Sequence, residues 1–129
     1  MDYIRDEHRV HLIAYHLIWC PKRRKKILVD NIAKDCEELI KLKCQKQGWT
    51  VLSIAIQPDH VHLFIRVYPT IAAVDVVKEC KGATSYELRT KYPELKKIPS
   101  MWTRSYFAST AGNVSSSVIQ NYIEAQSTL

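Results

Sequence analysis

Two rhythms of apolar and polar positions alternate along the chain, and the switches between them mark out its elements. Residues 11–20 (His11-Leu12-Ile13-Ala14-Tyr15-His16-Leu17-Ile18-Trp19-Cys20) form an apolar run closed by Pro21, which predicts a largely buried strand. The rhythm then turns helical. Asp30 is placed to cap a helix to about Gln47, with Ile32, Cys36, Leu39, Ile40 and Lys43 on one face and Gly48 as its stop. Residues 49–57 return to period two, with Thr50, Leu52, Ile54 and Ile56 on one side. Pro58-Asp59 supplies a two-residue turn into an antiparallel strand over 60–68. A second helix is predicted over about 71–91, capped by Thr70 and carrying Val74, Val77, Lys81 and Leu88 at helical spacing. Pro93 and Pro99 bracket a basic connector, and a short strand is predicted over 102–108. Gly112-Asn113 breaks the chain, and Ser115 or Ser116 opens a last helix to about Gln126.

The order β-α-β-β-α-β-α predicts an α+β fold. Its antiparallel sheet has a split-βαβ (ferredoxin-like, RRM-like) arrangement, with helices packed on it and an extra C-terminal helix. That topology hosts many functions and decides none. The length, 129 residues, suits one domain spanning 1–129. Apolar residues at 47% and charged residues at 25% are the balance of a folded globular protein. No apolar run approaches the ~18 residues that cross a bilayer, so no membrane role is expected. Met1 to Glu7 mix acids and bases, unlike a secretory signal. Cys20, Cys36, Cys44 and Cys80 form no Cys-x-x-Cys pair and read as buried, reduced thiols, which points to the cytoplasm.

Charge changes the picture. Nineteen Lys and Arg against thirteen Asp and Glu leave +6, and five of the bases are consecutive, Lys22-Arg23-Arg24-Lys25-Lys26. Without that run fourteen bases face thirteen acids, so the excess sits in one segment. A concentrated basic cluster favours a polyanion, usually nucleic acid; the plain alternative is a solvated basic loop.

Two segments carry candidate chemistry. Along 60–67, Val61, Leu63, Ile65 and Val67 share the core face, and His60, His62, Phe64 and Arg66 share the other. Two rungs of a strand set the imidazoles roughly 6–7 Å apart at their bases, within reach of one metal ion. Neutral imidazole suits Mn, Fe, Co, Ni, Cu or Zn. The alternative is a pair of polar residues on a solvated face, and a metal would need further ligands. His8, His11 and His16 could compete, although His11 and His16 point to opposite faces of their strand. In the last helix Tyr122 and Gln126 lie one turn apart, side by side, while Glu124 points about 200° away from Tyr122. A tyrosine is a competent nucleophile only when something lowers the cost of its phenolate; otherwise it packs as an amphipathic helix residue.

Taken together, five segments between Ala14 and Gln126 resemble the HUH-type, single-tyrosine transposases of small bacterial and archaeal insertion sequences. They are Tyr15-His16-Leu17-Ile18-Trp19-Cys20-Pro21-Lys22-Arg23-Arg24, Pro58-Asp59-His60-Val61-His62-Leu63, Lys81-Gly82-Ala83-Thr84-Ser85, Trp102-Thr103-Arg104-Ser105-Tyr106-Phe107 and Tyr122-Ile123-Glu124-Ala125-Gln126. The chain departs from the family at Ser105, where glycine is frequent, which puts the local strand geometry in question.

The resemblance implies that His60, His62 and Gln126 bind a divalent metal, Mg²⁺ or Mn²⁺. It implies that Tyr122 attacks a DNA phosphodiester, forms a 5′-phosphotyrosine and releases a 3′ hydroxyl. It further implies single-stranded DNA with hairpin ends as partner, and a homodimer whose tyrosine helices complete one another's sites in trans. Lys22, Arg23, Arg24, Lys25 and Lys26 are the leading phosphate contacts, supported by Lys78, Lys81 and Arg104. Phe64 or Tyr106 could stack on an unpaired base or pack in the core. The rival readings are a domesticated nickase or replication-type endonuclease of the same chemistry, and a non-enzymatic RNA- or DNA-binding module on the same sheet.

Overall fold

A computed structural model describes residues 12–110 and 116–126 of the chain. His8, His11, Gly112, Asn113 and Ser115 lie outside the described residues. The elements are β1 (Ile13–Trp19), α1 (Asp30–Gln47), β2 (Thr50–Gln57), β3 (His60–Val67), α2 (Ala73–Lys91), β4 (Phe107–Ser109) and α3 (Ser116–Ala125), with 3₁₀ turns at Lys22–Arg24 and Pro93–Lys97. The four strands form one antiparallel sheet in the order β2-β3-β1-β4, which is the predicted α+β, split-βαβ arrangement.

Alternation along β3 decides which side of the sheet is covered. Val61, Leu63 and Ile65 are fully buried, and β1 sets Leu17 opposite Leu63 and Trp19 opposite Val61. From α1, Cys36, Ile40 and Cys44 join this core, and from α2, Val76, Val77, Cys80 and Leu88. Each such aliphatic side chain contributes about 1.5–3 kcal/mol on burial. The four cysteines are free and buried, and burial pushes the Cys20 and Cys36 thiols up to about 12, so these two stay unreactive. Gly48 ends α1 in the left-handed region (φ 79°). Its N–H bonds the Gln45 carbonyl and that of Trp49 bonds Cys44, a Schellman closure that glycine enters without strain.

Several predicted boundaries move. Val29, not Asp30, holds the cap position of α1; Asp30 opens the helix at φ 51°, a region aspartate tolerates. Thr70 caps nothing: α2 starts later, and Asp75 Oδ2 accepts the Ala72 N–H at 3.1 Å. Val74 is half exposed rather than part of the buried stripe. In β2 the pairing shifts between Val51 and Ser53, so Leu52 is bulged out and exposed, and Val51 takes the core side with Ile54 and Ile56.

The predicted strand over 102–108 is two pieces. Trp102 bridges Pro21, and ladder pairing resumes only at Phe107, opposite Ile18. Between those two pairings the 102–107 segment holds two residues more than its partner, and the surplus loops out around Arg104 and Ser105.

Candidate active site

The face opposite α1 and α2 carries the candidate residues. His60, His62, Phe64 and Arg66 project onto it from β3, all half-buried. Ile18 on β1 lies between His62 on one neighbouring strand and Phe107 on the other. Ile18, Cys20 and Ile123 form a second buried cluster, with Phe107, Ile119 and Tyr122 packed against it. The helix α3 therefore lies on the histidine face. Two strand spacings separate His62 from Phe107, roughly 10 Å across the sheet.

Each histidine has a distinct partner. His60 Nδ1 lies 2.9 Å from Asp59 Oδ1, and Arg24 Nε approaches the other carboxylate oxygen at 3.4 Å. His62 Nε2 lies 3.2 Å from His16 Nδ1, and the His16 ring stacks on Phe64 with centroids 4.1 Å apart. Burial, then the neighbouring His16 and His60, pull the His62 pKa below its ordinary value. A neutral imidazole keeps the lone pair that a metal needs. Among the described residues no three His, Cys, Asp or Glu side chains form a metal-holding group. Imidazole nitrogens of this kind take a divalent ion when oxygen ligands from an amide, water or phosphate complete its shell.

On α3, Ser105 ties the two predicted residues together. Gln126 Nε2 donates to the Tyr122 carbonyl at 3.0 Å, which fixes the amide orientation because a carbonyl only accepts. Ser105 Oγ then donates its proton to Gln126 Oε1 at 2.7 Å, and the Tyr122 hydroxyl, 3.0 Å away, donates to Ser105. Burial pushes the phenol above its usual value. Tyr122 is thus held protonated beside Gln126, and the side-chain partners of the two are each other, Ser105 and Thr103 rather than His60 or His62.

Ser105 can reach α3 because it sits on the looped-out surplus. There Lys81 Nζ donates to the carbonyls of Thr103 at 2.7 Å and Ser105 at 3.1 Å, satisfying acceptors that a regular ladder would pair. Burial lowers Lys81 to about 8. The sequence places Lys81 among the phosphate contacts; in the fold two of its three N–H groups support this loop. Lys78 and Arg104 are exposed and share with Lys81 and Tyr106 an open cavity of about 470 Å³.

The basic run forms a separate patch. Arg23, Lys25 and Lys26 are exposed, and Lys22 and Arg24 are half-buried. Arg23 and Arg24 take successive left-handed conformations (φ 57° and 56°), which turn the run against the β2–β3 hairpin beside His60. Phe64 is engaged by His16, and Tyr106 packs partly on the main core. The sequence alone marks Asp59 only as a turn residue and Ser105 only as a departure from glycine, whereas in the fold each side chain contacts a candidate site residue. Adjacency to His60 is a signal for the first; nothing local announces the second.

The chain is similar to known transposases along most of its length. The family model described as "Transposase IS200 like" matches residues 9–126. The ISDra2 transposase TnpA of Deinococcus radiodurans is 35% identical over 120 residues, covering 91% of this chain and 86% of that protein. The transposase of insertion sequence element IS200 from Salmonella typhimurium is 24% identical over 115 residues, 87% and 75% of the two chains. A crystal structure of a Deinococcus radiodurans transposase superposes with a TM-score of 0.86 at 31% identity, covering 95% of this chain and 97% of the other. A REP-associated tyrosine transposase bound to a REP hairpin shares the fold, with a TM-score of 0.58 at 10% identity over 93% and 69% of the chains. Because the family match covers residues 9–126, nearly the whole chain, the chain belongs to the IS200-like transposases, single-tyrosine enzymes of the HUH type.

Proposed function

We propose that this transposase cuts and rejoins single-stranded DNA at insertion-sequence ends through a 5′-phosphotyrosine on Tyr122, after recognising a hairpin beside the cut. The observation that carries the reading is the placement of α3. Its packing on Ile18 and Cys20 sets Tyr122 and Gln126 over the face that bears His60 and His62. In the reaction the Tyr122 oxygen bonds to the scissile phosphorus, the bond to the 3′ oxygen breaks, and that oxygen leaves as a hydroxyl. The reverse attack rejoins the strand, and no nucleotide is consumed because one phosphodiester replaces another.

His60, His62 and Gln126 would hold the divalent ion, Mg²⁺ or Mn²⁺, which when bound supplies Lewis-acid polarisation of the scissile phosphate. For Tyr122 to react, its hydroxyl and Gln126 Oε1 have to leave Ser105, by side-chain rotation or by a shift of α3. Among the described residues the apolar anchor of that helix is small: Ile18, Cys20 and Ile123, with Phe107, Ile119 and Tyr122 packed against them. The same small contact can be made with its own sheet or with the sheet of a second copy, which fits a homodimer with sites completed in trans. Arg23, Lys25 and Lys26 would grip the phosphate backbone near His60, and Lys78 and Arg104 would serve a second stretch of it.

A denaturing gel of the protein with single-stranded hairpin DNA tests the reading: a covalent adduct is expected with Mg²⁺ or Mn²⁺. His60→Ala and His62→Ala should lose the adduct while hairpin affinity stays within about tenfold, because phosphate contacts dominate it. Adduct surviving His62→Ala would remove the metal assignment. Tyr122→Phe mixed with His60→Ala/His62→Ala should regain activity as heterodimers if sites form in trans.

A further inference from the structure

We infer that Asp59 is a positioning residue for the metal site, acting through His60 and itself held by Arg24. The inference rests on the reading of His60 as a ligand and adds which of its atoms binds and what orients it. Asp59 stands at the tip of the β2–β3 hairpin, immediately before His60, with one carboxylate oxygen 2.9 Å from His60 Nδ1. A carboxylate only accepts, so Nδ1 carries the proton and the lone pair of the ring is on Nε2. Nε2 is therefore the ligating atom. Carboxylate partners of this kind fix the tautomer and plane of metal-binding histidines in general, and losing them typically weakens metal affinity by about 10–100-fold.

Arg24 completes the arrangement. Its Nε approaches the second Asp59 oxygen at 3.4 Å, and both side chains are largely shielded from solvent. The backbone that brings it there is unusual: Arg23 and Arg24 are consecutive left-handed residues, a conformation that costs energy for a side chain with a Cβ. The segment is pinned on both sides, by the Lys22 N–H on the Met101 carbonyl and by the Leu28 N–H on the Pro58 carbonyl, one residue before Asp59. So the basic run and the histidine strand meet at one carboxylate. DNA phosphates drawn to Arg23, Lys25 and Lys26 then arrive beside a histidine whose ligating nitrogen is already aimed.

Mn²⁺ titrated into the full chain, with free ion counted by its electron paramagnetic resonance signal, tests this without DNA cleavage. Asp59→Ala is expected to weaken Mn²⁺ about 10–100-fold. Asp59→Asn, whose amide oxygen still accepts from Nδ1, is expected to recover part of the loss. Wild-type Mn²⁺ affinity in folded Asp59→Ala would overturn the inference. Nitrogen-15 spectra of the wild-type imidazoles give a second reading that needs no variant to fold: His60 is expected as the Nδ1–H tautomer, and an Nε2–H tautomer overturns the inference. His60→Ala separates the two levels. If it leaves Mn²⁺ binding intact, the metal reading itself fails; if it abolishes binding while Asp59→Ala does not, only the positioning role fails.

Discussion

On β3, odd- and even-numbered residues lead to regions of opposite character. Val61, Leu63 and Ile65 enter a continuous apolar core covered by two long helices. His60, His62 and Phe64 enter a half-buried face on which a ten-residue helix rests through three buried side chains and the polar contacts of Ser105. Among the described residues the first region buries far more apolar side chains than the second, so it is expected to hold most of the stability. On the proposed function, a face that admits DNA is best built where loosening it leaves the core intact. The two are one residue apart along the same strands, so substitutions can address them separately.

The largest effect expected is on chemistry with none on folding. Tyr122→Phe removes one oxygen and one hydrogen bond to Ser105 and keeps the packing of the ring on Phe107. Covalent adduct should disappear on a denaturing gel, while hairpin binding and the melting temperature stay near those of the parent. A mutant that cuts like the parent would return Tyr122 to a packing role. On the other face the effect inverts. Leu63→Ala, at a fully buried site, should cost about 2–5 kcal/mol in urea unfolding. Ile123→Ala should shift the global transition by less than about 1 kcal/mol, yet speed amide exchange across 117–126. Equal losses from these two alanines would mean that the two faces unfold as one unit.

The basic patch gives a smaller, graded effect. Replacing the exposed Arg23, Lys25 and Lys26 by Gln, with Arg24 kept for Asp59, should weaken hairpin DNA binding and flatten its salt dependence. The slope should change by about 0.7–0.9 for each phosphate no longer neutralised, and an unchanged slope would mark the run as a solvated loop.

Lys81 supplies a test of direction. Its folded pKa, lowered to about 8 from 10.5 by burial, makes its unfavourable contribution full below pH 8 and absent above 10.5. In that window the unfolded chain binds the extra proton, so stability from this residue rises with pH. Urea midpoints of the parent should therefore climb relative to Lys81→Met between pH 7 and 10. Parallel profiles would show that its ammonium is solvated.

How much of this was legible beforehand differs between the faces for a physical reason. Alternation is local, so β3 and its two faces followed from eight consecutive residues, and the pair Tyr122 and Gln126 followed from helical spacing. The family match supports the overall resemblance. What stayed hidden depends on register and on contacts distant in sequence. No local pattern reports that two surplus residues loop out between Trp102 and Phe107, because that count is made against β1. Hence Ser105 reads as a strand residue and Lys81 as a surface cation, although they meet from 24 positions apart. Arg24 and Asp59 likewise meet only because the hairpin folds back on the turn after β1.

The bulge in β2 offers the finest test, because there alternation itself misleads. A regular strand would carry Leu52 and Ile54 on one face, and replacing either by Ser would then cost a similar amount. The ladder instead pairs Val51 with Ile65 and Ser53 with Phe64, so Leu52 is the unpaired extra residue and is 38% exposed. Ile54 pairs with Leu63 and packs on the core. Leu52→Ser should therefore change stability by no more than about 0.5 kcal/mol, as at an ordinary surface site. Ile54→Ser removes apolar area from the core side and sets a hydroxyl there, for a loss of about 1–3 kcal/mol. Val51→Ser should resemble Ile54→Ser, although Val51 lies on the opposite parity. Paired urea melts of the three variants decide it. Costs grouped as 51 with 54, against 52, fit the bulge; costs grouped as 52 with 54, against 51, would require an unbroken strand.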